Sequence, residues 1–296
     1  IRDRPFLGKK LKKSELEKRN SAFGYADRFD EKYDLVRSLR KGKYKYMRNY
    51  QPFNVDGLYN FYRYKMLAYK EWYTLFQDGK LNDIQSQFFK PKSPESLYNI
   101  EEDPHETKNL ANDILYNDIL ITMRKDLNNH LISINDLSFL PEPYFLKNGI
   151  DDVVEFSAQN KTLIKKLIDT SNLQLKDYDE VSSQIKNSLN NDNPWVRYWG
   201  LIVCSSFGSK AIENKDKINV IFESDSENLV RMRAAEFMLL NDIELNDSKI
   251  NSLLKRSNFE AEANLMLNTL ANIKTINPKY KLNLNKNVFP ENWIPP

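Results

Sequence analysis

Strand-like alternation in this chain stops at Pro141-Glu142-Pro143 and does not return. Before that point, Ser21–Asp27, Tyr33–Leu39, Tyr44–Tyr50 and Leu97–Ile100 read as strands, and Lys41-Gly42-Lys43 is a short turn between the second and third. Leu35, Arg37 and Leu39 share one face of the second strand, and Tyr44, Tyr46 and Arg48 share one face of the third. Such strands suit an antiparallel sheet with one covered face. After that point only helical periodicity recurs, in Asp151–Gln159, Lys161–Asp169, Asp177–Leu189, Pro194–Phe207, Lys210–Glu223, Glu227–Leu240, Ser248–Lys255 and Glu260–Ile273. The expected fold class is therefore α+β. Residues 1–146 form a small four-stranded antiparallel sheet with packed helices, and residues 147–296 form an all-α domain.

Between the third and fourth strands, Asp56 to Gln77 predicts one helix. Leu58, Tyr62, Met66, Tyr69, Trp72 and Phe76 recur along it at three- and four-residue steps. So long and periodic an aromatic stripe reads as core against the sheet, ahead of a sugar-stacking surface. Residues 80–95 read as a connecting loop. In Leu97–Ala111, Asp103 reads as the N-cap of a helix, with Pro104 at its first position and Glu106 bonding back. A helix from Ile114 to about Ile132 follows. Residues 1–20 are basic and polar and read as a solvated surface loop, and the tail Val288–Pro296 as a strap along the surface.

Two of the later helices are near copies. Pro194-Trp195-Val196-Arg197-Tyr198-Trp199-Gly200-Leu201 parallels Asn228-Leu229-Val230-Arg231-Met232-Arg233-Ala234-Ala235, with Val196 and Val230 set 34 residues apart. A third copy around Asn258–Leu270 is weaker. This pattern resembles HEAT repeats, which implies an α-helical solenoid in which each valine packs inward and each arginine pairs with polar turn groups of a neighbouring unit.

Composition narrows the function. Net charge is +3 with both signs interspersed, which argues against nucleic acid as a partner. The single cysteine, Cys204, excludes an internal disulfide and any multi-cysteine metal site. His105 and His130 are the only histidines, and His105 reads as exposed and inert. No apolar run is long enough to span a membrane. The chain opens on Ile1-Arg2-Asp3-Arg4, which is no signal peptide, so the true N-terminus is expected elsewhere.

The string L-Y-N-I-E-E-D-P-H-E-T-K-N-L-A at Leu97–Ala111 resembles the end of the C-terminal subdomain of type I, formylglycine-dependent sulfatases. Phe23 to Tyr50 resembles the two strands that open the same subdomain in the branch that includes heparan N-sulfatase. The aromatic segment from Leu58 to Phe76, and Ser138-Phe139-Leu140-Pro141-Glu142, fit the family's spacing. The resemblance covers residues 1 to about 146 and implies a secreted or periplasmic parent enzyme. HEAT-like tails occur in this branch.

The family's nucleophile is a formylglycine made from a C/S-x-P-x-R motif, and a Ca²⁺ ion held by hard oxygen ligands orients the sulfate. Cys204-Ser205-Ser206-Phe207-Gly208 has neither the Pro nor the Arg, and Asp151-Asp152 opens a helix in the wrong domain. No catalytic or metal-ligating residue is therefore expected here. The resemblance implies that nucleophile and Ca²⁺ belong to a preceding catalytic domain, which would be this chain's partner. What it implies for this chain is a wall of the substrate subsite, at Asp27, Arg28, Asp30 and Glu31. Arg28 could pair with a uronate carboxylate or a sulfate, and Asp30 or Glu31 could accept sugar hydroxyls. The plainer alternative is a surface ion pair between Arg28 and Asp30 or Asp34. Two functions remain open: the C-terminal part of a sulfatase acting on O- or N-sulfates of sulfated glycans, inactive by itself, or a free-standing HEAT-like protein-binding module with a relic sulfatase half.

Overall fold

The computed structural model describes residues 12–29, 32–58 and 60–290. After a short helix α1 (Lys13–Lys18), where a loop was expected, come β1 (Ser21–Phe29), β2 (Lys32–Lys41), β3 (Tyr44–Asn49) and, much later, β4 (Glu95–Asn99). They form one antiparallel sheet in the order β1-β2-β3-β4. The β2–β3 turn needs Gly42, whose φ of 60° lies in the left-handed region. Register aligns Phe23, Leu39, Tyr46 and Leu97 across the four strands, and the last three of these are buried. The sheet has a covered face, as expected, and it carries Leu35, Arg37 and Leu39 of β2 and Tyr46 and Arg48 of β3.

The aromatic segment departs from expectation. One helix against the sheet was predicted; the structure has α2 (Phe61–Lys65) and α3 (Leu67–Gln77), interrupted at Met66, whose ψ of 125° is extended. Neither helix has a buried residue. Asn60 caps α2 by accepting from Arg63 N–H at 2.9 Å, so the helix starts at 61. Residues 56 and 57 are in a turn instead, with Gly57 N–H donating to Phe88 O at 2.7 Å. The stripe packs on its own connecting segment. That segment is α4 (Asp83–Ser86), closed by an Asn82–Gln85 capping box, followed by the 3-10 turn Gln87–Phe89. Trp72 stacks on Phe88 with ring centroids 4.6 Å apart, and Phe76 on Phe89 at 4.7 Å. Leu58 is core as expected, but Tyr62 is 64% exposed and Met66 is exposed too.

The capped turn also differs. Asp103 starts no helix. Its carboxylate accepts from Lys108 N–H at 2.8 Å and Thr107 Oγ1 at 3.1 Å, Glu106 takes a φ of 53°, and Lys45 Nζ holds Glu106 at 2.7 Å. Asn109 Oδ1 accepts from Leu97 N–H and Ala111 N–H, both at 3.0 Å, and stitches the turn to β4. These side-chain bonds compete with the helical ladder and win. The expected helix follows as a 3-10 turn, Ile114–Tyr116, and α5 (Asn117–Ile134), which packs on β2 and β3. Leu120, Met123, Leu127 and Leu131 form its buried stripe.

Helices α6 (Glu142–Asn148), α7 (Val153–Gln159), α8 (Lys161–Ser171), α9 (Tyr178–Leu189), α10 (Pro194–Phe207), α11 (Lys215–Ser224), α12 (Asn228–Leu240), α13 (Asp247–Lys255) and α14 (Glu260–Ile276) complete the described chain. Alternate helices touch in succession, α8 with α10, α10 with α12 and α12 with α14, while α9 packs on α10 and α11 on α12. Val196 and Val230 are buried. Arg197 grips Asp225, at the turn before α12, through Nε at 2.6 Å and Nη2 at 2.8 Å. Of the tail, residues 291–296 lie outside the described residues, and Val288 and Phe289 pack against the core.

The hydrophobic core is continuous from the sheet into the helices. Tyr50, Phe139 and Trp199 meet at the junction with centroids 4.9, 5.9 and 5.3 Å apart, and Trp199 Nε1–H donates to Phe139 O at 2.7 Å. At the other end of the helical stack, α14 touches β2.

Candidate functional site

The β1–β2 connection carries the residues singled out from the sequence. Asp27 sits where the β1–β2 register shifts between Ala26 and Arg28, a bulge that turns a side chain out of the ladder. Its carboxylate accepts from Ser138 Oγ at 2.8 Å and from Arg37 Nη1. Arg37 in turn grips Asp136 in bidentate fashion, Nε to Oδ2 at 2.6 Å and Nη2 to Oδ1 at 3.1 Å. Burial alone would lower the Arg37 pKa; Asp136 and Asp27 together more than offset it, so the guanidinium ends above its ordinary value.

Arg28 donates through Nη2 to Glu142 and through Nη1 to Asn264 of α14 at 3.4 Å, and its guanidinium lies 5.6 Å from the centroid of the Tyr33 ring. Among the described residues its ion-pair partner is Glu142 and not Asp34; Asp30, the other partner the sequence offered, lies outside them. Tyr33 N–H donates to Asn268 Oδ1 at 3.1 Å, a second tie from this strand pair to α14. Burial pushes the Tyr33 hydroxyl pKa up. Asp30 and Glu31 lie outside the described residues.

A second polar cluster stands at the same end of the sheet. Lys92 Nζ pairs with Asp34 and lies 3.5 Å from Asp56 Oδ1, its side chain 12% exposed. Burial would lower its pKa, but Asp34 and Asp56 outweigh that and raise it. Asn54 Nδ2 reaches Asp34 Oδ1 at 3.4 Å, while its own Oδ1 is buried without a partner. Sequence reasoning gave no role at this site to Arg37, Asp136, Ser138, Glu142 and Lys92, and it offered Asp34 only as a partner for Arg28, where the structure pairs it with Lys92. One signal was available: Arg37 alternates with Leu35 and Leu39 onto the covered face, and a charge there has to be matched.

The chain is similar to a sulfatase. It is 37% identical over 169 residues to the ulvan-active sulfatase of Formosa agariphila (strain DSM 15362 / KCTC 12365 / LMG 23005 / KMM 3901 / M-2Alg 35-1), a match that covers 57% of this chain and 24% of that protein. The chain thus spans about a quarter of the length of this curated relative. No family model matches the chain.

The residues present do not fit the two groups that sulfatase chemistry implies. Cys204 is wholly buried within α10, burial drives its thiol pKa up, and it lacks the flanking Pro and Arg. Among the described residues, no group of three or more His, Cys, Asp or Glu side chains could hold a metal ion. No step through a formylglycine or Ca²⁺ is therefore assigned to these side chains. Among the described residues no helix is long and apolar enough to cross a membrane.

Proposed function

We propose that this chain is the C-terminal part of a sulfatase that hydrolyses sulfate esters or N-sulfates of sulfated glycans, of the type I, heparan N-sulfatase-like branch. The reading rests on one observation: 37% identity over 169 residues to a sulfatase. The motifs at Phe23–Tyr50 and Leu97–Ala111 agree with it. Formylglycine and Ca²⁺ belong, in this reading, to a catalytic domain elsewhere in the same polypeptide. That domain is also the partner that covers the apolar surface of α2 and α3, where Tyr62, Met66 and Leu67 are exposed.

This chain contributes a wall of the substrate subsite, built from Asp27, Arg28, Asp30 and Glu31, and the scaffold behind it. Ser138, Glu142 and Asn264 brace that wall. Residues 147–296 act as a HEAT-like solenoid that backs the sheet; the Arg197–Asp225 pair and the buried Val196 and Val230 support this. As a sulfatase of this kind, the enzyme works in the periplasm or outside the cell.

The test is sulfate release. The present chain alone, with added Ca²⁺, should release none from an aryl sulfate or a sulfated glycan. The polypeptide extended with its upstream reading frame, expressed with a formylglycine-generating enzyme, should do so, with ulvan the first glycan to offer. Turnover by the chain alone sinks the division of labour. An upstream frame without C/S-x-P-x-R leaves the alternative, a free-standing binding module.

A further inference from the structure

Arg48 is the most unusual charge in the molecule. It is 2% exposed and, among the described residues, has no carboxylate partner. Its guanidinium donates only to neutral oxygens: Asn49 O and Pro94 O at 2.8 Å, Ser171 O at 2.9 Å and Gln174 Oε1 at 3.0 Å. Its Nε is buried and has no acceptor. The nearby acid, Glu95, is committed elsewhere: Arg124 grips it through Nε at 2.8 Å and Nη2 at 2.5 Å, and Tyr46 OH donates to it at 2.9 Å. Burial lowers the Arg48 pKa, and the neighbouring Tyr50, Tyr46 and Glu95 offset only part of that, so the charged form is under-compensated.

Arg48 lines a cleft of about 330 Å³ between β3, α5 and the chain after α8. Tyr46, Arg124, Lys125, Asn128 and Lys176 line it with Arg48, and no Asp or Glu does. Lys125 and Lys176 are exposed. Arg124, Lys125 and Asn128 share one face of α5 by their spacing, with Ile121. The cleft therefore has a buried, under-compensated guanidinium, two exposed ammonium groups, an apolar lining that runs from buried Leu127 to exposed Ile121, and room for more than one ring or ion.

We propose that this cleft binds a multi-oxygen anion, a sulfate or a sulfate ester, between Arg48 and the ammonium groups of Lys125 and Lys176. An anion with several oxygens supplies acceptors to both kinds of cation at once and cancels the charge that folding leaves buried. The anion has two possible sources, a free ion and a sulfate carried on a glycan. The choice of sulfate rests on the sulfatase reading, while the cleft itself stands on residues of β3, α5 and the chain after α8.

The experiment is isothermal titration of the whole chain, with sodium sulfate and with a sulfated oligosaccharide, each at an ionic strength held constant with chloride. The variant is Lys125→Gln/Lys176→Gln, whose substituted side chains are exposed and leave the core intact; Arg48→Gln is a second, assayed only if its circular dichroism matches wild type. Saturable binding that weakens roughly tenfold or more in the double lysine variant supports the site. If inorganic sulfate shows it, the source is the free ion; if only the oligosaccharide does, the source is the glycan ester. No saturable binding of either, or equal binding by wild type and the double variant, overturns it. A thermal shift with sulfate that chloride reproduces at equal ionic strength overturns it as well.

Discussion

Arg37 stands on the covered face of β2, where a charge survives only if it is matched, and it meets two carboxylates there. Asp136→Asn would remove the bidentate partner and leave Asp27, so the loss should be about 3 kcal/mol, the low end for a broken buried pair. Urea unfolding at neutral pH reads it; an unchanged midpoint would show that Asp27 alone suffices. Arg28 lies nearer to solvent, between Glu142 and Asn264. If the proposed sulfatase function holds, Arg28→Lys in the extended polypeptide should lower kcat/KM on a sulfated glycan by roughly 1.5–3 kcal/mol, since an ammonium cannot reproduce a bidentate clamp. A small aryl sulfate should be much less affected. Equal losses on both substrates, in step with a lower melting temperature, would mean that Arg28 only braces Glu142 against α14.

Helix α10 packs against α9 through a glycine. A Cβ on Gly200 would stand 2.4 Å from Ser188 Oγ and 3.2 Å from Ser188 Cβ. Ser188 is buried, and its hydroxyl is committed to Ile185 O at 2.7 Å, so it has little room to turn away. Gly200→Ala should therefore cost about 1–3 kcal/mol of overpacking, less about 1 kcal/mol of gained helix propensity. Ser188→Ala/Gly200→Ala should recover most of the loss, a coupling that a double-mutant cycle in denaturant would read. Additive effects would show that α9 simply shifts aside. In the unit α2–α4, Trp72→Ala should remove the stack on Phe88 and the bond to Gln85 O at 3.1 Å. Because that unit hangs on local aromatic contacts, faster proteolysis between residues 60 and 90 is expected with little change in the global midpoint. A large global loss would place the unit in the main core instead.

At the scale of the whole molecule, the sequence divides at Pro141–Pro143 but the core does not. Tyr50, Phe139 and Trp199 lock the sheet to the helices, Arg48 bonds Ser171 O, and α14 returns to β2. Near-ultraviolet and far-ultraviolet circular dichroism should therefore melt together in one transition. Trp199→Ala should lower the midpoint of the whole curve, by about 3–5 kcal/mol. Two separate transitions near residue 146 would show that the halves fold as independent domains.

Local pattern was enough for the strands. A period of two with a leucine and aromatic face, and a glycine at the tight turn, specify a hairpin before any long-range contact forms, and β1 to β4 stand within a few residues of where the sequence set them. It was nearly enough for α8 to α14, because a 3.6-residue stripe acts within one turn and Asn193 and Asn246 cap α10 and α13; α11 alone starts late, at Lys215 where Lys210 was expected, behind a 3-10 turn at Gly208–Asn214. It could not decide which surface an apolar stripe meets. The aromatic stripe after Asn60 looked like core because periodicity reports an amphipathic face and not its partner; α5 took the sheet's face, and Phe88 and Phe89 took the aromatics. Nor could it decide the fate of Asp103, whose oxygens serve either a helix start or a side-chain turn until Lys45 and β4 settle the choice. Arg37 apart, the partners seen for Asp27 and Arg28 lie more than a hundred residues away, at Ser138, Glu142 and Asn264. Ion pairs have no sequence period, so only the packing of α14 and the 136–142 segment against the sheet brings those charges together.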